Sequence, residues 1–116
     1  MGFVTVSIAV GARNRRRNQR VTCPTLYFVM GGEEYEARDW GLGGFAAVGT
    51  GAADFSAGDP IRITAVLLPD GSCERLNIEA RIVRAPPQAA EIAVEFLVLD
   101  DKSFRLFERL LVHRKP

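Results

Sequence analysis

Residues 13–20 read RNRRRNQR, five arginines in eight positions with no acid among them. So much like charge in one stretch contributes nothing to folding and must be balanced by solvent or by an anion. Arginine's planar fork grips phosphate bidentately, and its donors match the O6/N7 edge of guanine. Its flat face also stacks on purines. The stretch therefore calls for a polyanion such as nucleic acid, or for a compact phosphate ligand. The plain alternative is a solvated basic arm.

Little else in the chain carries reactive chemistry. His113 is the only histidine, so any Ser/His/Asp triad, Cys/His dyad or histidine metal site would have to use it. The last turn of a terminal helix is a poor place to build one, and a cation there suits the helix dipole. Cys23 and Cys73 stand fifty residues apart in the sequence. That spacing is neither a disulfide framework nor a CxxC zinc motif. They read as small hydrophobes on strands, in a reducing compartment. The expectation is a non-enzymatic protein without metal or cofactor.

The elements that must position the arginines are mostly strands. A chain of 116 residues that is 47% hydrophobic can bury a core as one domain without disulfides or metal. Of fifteen Lys and Arg, five lie in the basic stretch, which leaves ten against fourteen Asp and Glu elsewhere. A basic arm, placed at 11–20, is thus attached to a mildly acidic body. Before it, Val4, Val6, Ile8 and Val10 alternate with smaller or polar residues and predict a strand. That run is shorter than the ~18 residues of a membrane span, and its charges follow the apolar residues where a signal peptide would put them first.

After the arm, VTCPTLYFVM and EEYEARDW flank Gly31-Gly32 as a hairpin. GGFAAVGTG is a short strand framed by glycines. DPIRITAVLLPDG predicts a strand with Ile61, Ile63, Ala65 and Leu67 inward. CERLNIEARIVRA follows with Leu76, Ile78, Ala80 and Ile82 inward, and EIAVEFLVL returns. The fold class is all-β, a small antiparallel β-barrel of about six to seven strands. The period then changes. Phe104, Phe107, Leu110 and Leu111 follow helical spacing, with Asp100 or Asp101 as cap, so one C-terminal α-helix covers about 101–113.

Within the basic stretch, Arg16 and Arg20 form an RxxxR pair. Nineteen residues after Arg20 comes DWGLGG, residues 39–44. Together with the strand rhythm and the final strand and helix, these motifs resemble the PilZ domain family, whose signature is RxxxR followed by (D/N)xSxxG. The resemblance runs over residues 13–112. It implies a small barrel with a following helix that binds cyclic di-GMP, in a cytoplasmic bacterial protein. It further implies that Arg16 and Arg20 hold guanine and phosphate, and that Asp39 accepts hydrogen bonds from guanine N–H groups. Gly44 would let the barrel backbone approach the ligand. Arg15, immediately before the pair, would cover the guanine face of a second ligand molecule. Trp40 reads as a core or barrel-surface aromatic rather than a stacking platform.

One position departs from the family pattern. Gly41 stands where the family has serine, so the motif reads DxGxxG and the hydroxyl donor is missing. A neutral hydrogen bond contributes roughly 0.5–1.5 kcal/mol net, which predicts weaker rather than abolished binding. Three readings follow. The first is a cyclic di-GMP receptor that acts on a downstream protein or a covalently linked effector domain. The second is a divergent PilZ domain that binds protein only. The third is a nucleic-acid-binding barrel, disfavoured by the acidic body and by strands without interleaved aromatics.

Overall fold

The computed structural model describes residues 20–49, 51–86 and 91–113. The strand expected at Val4–Val10, the arginines at 13, 15, 16 and 17, and the basic end at Arg114 and Lys115 lie outside the described residues. Among the described residues six strands form: β1 (Tyr27–Met30), β2 (Glu33–Trp40), β3 (Gly44–Val48), β4 (Pro60–Leu67), β5 (Cys73–Arg84) and β6 (Ile92–Phe96). A single turn of 3-10 helix, Ala52–Asp54, links β3 to β4, and α1 (Asp101–His113) follows β6. The strands close into an antiparallel barrel in the order β1-β2-β3-β6-β5-β4. Closure leaves no unpaired edge strand.

The β1–β2 hairpin turns on Gly31 and Gly32, both at positive φ (60° and 82°), as a two-residue primed turn requires. On β5 the expected inward set of Leu76, Ile78, Ala80 and Ile82 is buried. On β4 the expected set is only half right. Ile63 is fully buried, but Val66 takes the next inward position and Ala65 and Leu67 are only partly covered. The cause is a register shift against β1, where Met30 pairs with Ile63 and Val29 with Ala65, so that Thr64 is an extra residue on β4 and reverses the phase of the strand.

Aromatic rings fill the interior. Phe28 and Phe45 stack with centroids 4.0 Å apart, and Phe96 stacks on Phe107 of α1 at 5.7 Å. Phe107 also lies 6.0 Å from Phe28 and 6.2 Å from Trp40. The helix thus inserts one ring into the aromatic cluster of the barrel. Its buried stripe is Ser103, Leu106 and Phe107, with Leu110 partly covered, at helical spacing. Phe104, expected on that stripe, is 37% exposed, because it lies one residue round the helix from Ser103. Trp40 has no exposed surface, and its Nε1–H donates to the Pro24 carbonyl at 2.8 Å. Tyr35 is buried as well. Its hydroxyl is pushed above the ordinary tyrosine range by burial first, then by the nearby Glu33 and Asp54 charges. Cys73, at the start of β5, is exposed rather than a core residue, and Cys23 precedes β1 instead of lying on a strand. Among the described residues no helix is long and apolar enough to cross a membrane.

Candidate functional site

Strict alternation along β2 would send Tyr35, Ala37 and Asp39 into the barrel. A carboxylate there would be costly, since burying an unpaired charge is strongly unfavourable. The strand avoids this with a bulge at Arg38: Ala37 pairs with Ala47 of β3, but Asp39 pairs with Ala46. The extra residue reverses the phase. Tyr35, Ala37 and Trp40 are buried, Arg38 is exposed and Asp39 is half-exposed. The bulge therefore turns the carboxylate out to the surface and sends the indole into the core.

The chain segment before β1 is fixed to the end of β2 by the Val21–Trp40 pair, in addition to the bond from Trp40 Nε1 to Pro24 and one from Ala37 N–H to the Leu26 carbonyl. Val21 and Trp40 form an antiparallel bridge and exchange both backbone hydrogen bonds, each 2.9 Å. Val21 is buried beside Trp40, so its neighbour Arg20 points outward, on the same side as Asp39. Arg20 Nη1 donates to Asp39 Oδ1, and the two side chains are 40% and 36% exposed. Asp39 Oδ2 takes no hydrogen bond from the described residues. The second arginine of RxxxR and the aspartate of DxGxxG, nineteen positions apart, are thus neighbours on the outer barrel wall.

The loop that follows is closed by two backbone bonds: Gly41 N–H donates to the Gly44 carbonyl at 2.9 Å, and Phe96 N–H to the Gly43 carbonyl at 2.9 Å. Gly44 has φ +152°, and a Cβ there would stand 2.0 Å from the Val94 carbonyl oxygen. The close approach that the absent Cβ of Gly44 permits is that of the β6 backbone at Val94, within the barrel. Gly44 is required by the barrel itself, whatever binds outside. Gly41 is buried, and it is not among the glycines with positive φ.

Of the six residues singled out in the sequence, the structure brings Arg20, Asp39, Gly41 and Gly44 to one end of β2. Arg15 and Arg16 lie outside the described residues. Arg38 escaped the sequence reading. It is exposed and precedes Asp39 on the bulge, and its side chain makes no hydrogen bond or ion pair with any described residue. The signal was present: an aspartate in the inward phase followed at once by tryptophan marks a bulge, and a bulge puts the residue before the aspartate on the same surface.

The PilZ domain family matches residues 14–113 of the chain. A search of curated proteins gives no match. Among solved structures, the chain is similar to the crystal structure of the PilZ domain of CeSA from a cellulose synthesizing bacterium. The two share 22% identity with a TM-score of 0.52, over 81% of this chain and 94% of that one. That likeness speaks for the fold, a barrel with its helix; the family match covers most of the length. The chain belongs to the PilZ domain family, a family of cyclic di-GMP receptor domains.

Proposed function

We propose that this domain is a non-enzymatic receptor for cyclic di-GMP, with the ligand held between the RxxxR stretch and the DxGxxG loop. The observation that carries the reading is the Arg20–Asp39 pair on the outer wall. A guanidinium suited to phosphate or a guanine edge lies against a carboxylate suited to guanine N–H groups. Asp39 can serve both at once, because Oδ1 takes Arg20 and Oδ2 is left for the ligand. In this reading Arg15 and Arg16 close over the ligand from the other side, with Arg15 covering a second molecule. Gly41 offers no hydroxyl, which weakens the complex by roughly 0.5–1.5 kcal/mol. The bound domain then acts on a downstream protein or a linked effector domain, in the cytoplasm where a nucleotide messenger is met.

The test is calorimetry with cyclic di-GMP, using GMP and cyclic di-AMP as controls. Saturable binding of cyclic di-GMP alone supports the proposal, and no heat at ligand concentrations up to the millimolar range removes it. Gly41 favours a second reading, a PilZ domain that works through protein contacts, and that reading takes first place if nothing binds. Polynucleotide binding with a steep salt slope would instead mark many released counterions.

A further inference from the structure

Arg38 is an exposed charged side chain without a partner among the described residues, beside the bulge that turns Asp39 outward. The bulge presents two consecutive outward residues, Arg38 and Asp39, where regular β2 would present only one. Adjacent Cα atoms are about 3.8 Å apart, so an arginine and an aspartate are presented from neighbouring positions on one surface. Arg62 donates to Asn77 and Glu79, and Arg81 to Glu95, whereas Arg38, like the exposed Arg75 and Arg84, makes no side-chain bond among the described residues. The carboxylate of the adjacent residue, Asp39, is held by Arg20 through Oδ1.

Guanine matches this juxtaposition. Its edge presents the N–H donors of N2 and N1, followed by the acceptors O6 and N7. A carboxylate reads the first pair and an arginine fork reads the second. Adenine offers a donor at the position of O6 and so opposes the arginine. We propose that Arg38 is a ligand-binding and specificity-determining residue that grips the O6/N7 edge of the guanine whose N–H groups Asp39 accepts. The proposal rests on the cyclic di-GMP reading above and adds to it a residue outside both sequence motifs.

The test is calorimetry of the parent, Arg38→Ala and Arg38→Lys with cyclic di-GMP and with its analogue carrying 7-deazaguanine, which lacks the N7 acceptor. Arg38→Ala should weaken cyclic di-GMP binding by about ten- to hundredfold. Arg38→Lys should recover little of that, because it keeps the charge but loses the fork. The penalty for the deaza analogue should be smaller in Arg38→Ala than in the parent. Circular dichroism should show an unchanged barrel, since the side chain is exposed and makes no bond. Parent-like affinity in Arg38→Ala, full recovery by lysine, or an equal deaza penalty in parent and variant would each overturn the guanine-edge role while leaving the receptor reading intact. A parent that binds no cyclic di-GMP overturns both.

Discussion

Val21 and Trp40 exchange both of their backbone hydrogen bonds at 2.9 Å, so the last arginine of the basic stretch is held beside the aspartate that the β2 bulge turns outward. Trp40 secures the contact from within: it is fully buried, packs against Phe107 and donates to Pro24. Core packing therefore fixes the position of a surface pair. The site is built on a strand end, where geometry is firmer than on a free loop.

Arg20→Ala separates binding from folding. The Arg20–Asp39 pair is well exposed, and such pairs contribute about 0–1 kcal/mol to stability. The melting temperature should barely move. Affinity for cyclic di-GMP should fall by roughly 1.5–3 kcal/mol, the cost of one charge-assisted contact. Arg16→Ala is expected to behave alike. Parent affinity in both variants, measured by calorimetry, would remove the arginines from the ligand clamp.

Gly44→Ala is a folding mutation. The substituted residue would have to adopt φ +152° and place its Cβ 2.0 Å from the Val94 oxygen. Strained backbone and overpacking together should cost about 3 kcal/mol or more, read as a fall in the urea midpoint. A variant as stable as the parent would mean that β3 and β6 separate easily at this point.

Gly41→Ser addresses the departure from the family motif. With φ outside the positive region, serine meets no backbone strain there. If the hydroxyl reaches the ligand, affinity should rise by roughly 0.5–1.5 kcal/mol, up to about tenfold. A folded variant that binds no more tightly shows that the loop does not present this position.

Ser103→Ala should stabilise the domain. The Ser103 side chain is buried on the barrel side of α1, and its Oγ finds no partner among the described residues. Removing an unsatisfied hydroxyl should gain about 1–3 kcal/mol, and alanine is the better helix former. Chemical denaturation that shows a loss instead would reveal a bond made by this hydroxyl.

What the sequence made legible follows from where strands stay in phase. Leu76 to Ile82 keep period two along β5, so their burial is readable residue by residue. At Thr64 and Arg38 the period slips by one, and the residues beyond change sides: Val66 replaces Ala65 and Leu67, and Trp40 replaces Asp39 in the interior. The helix stripe was misplaced for a different reason. Phe104 and Ser103 both fit a spacing of three and four, and the polar residue is the buried one. Within the site, Arg20 and Asp39 were visible as motif members. Their pairing was not, because it depends on the Val21–Trp40 bridge. Gly44 was read from the motif as admitting the ligand; that its missing Cβ makes room for Val94 of the barrel depends on the β3–β6 pairing, which the sequence does not display.

The most direct measurement of the central claim is a titration of the labelled protein with cyclic di-GMP, followed by backbone amide shifts. The account predicts that the largest changes fall on Arg20, Val21 and residues 38–44, while the Asp70–Ser72 turn stays unchanged. Saturating ligand that leaves Arg20 and Asp39 unmoved, or that shifts only residues elsewhere on the barrel, would contradict it.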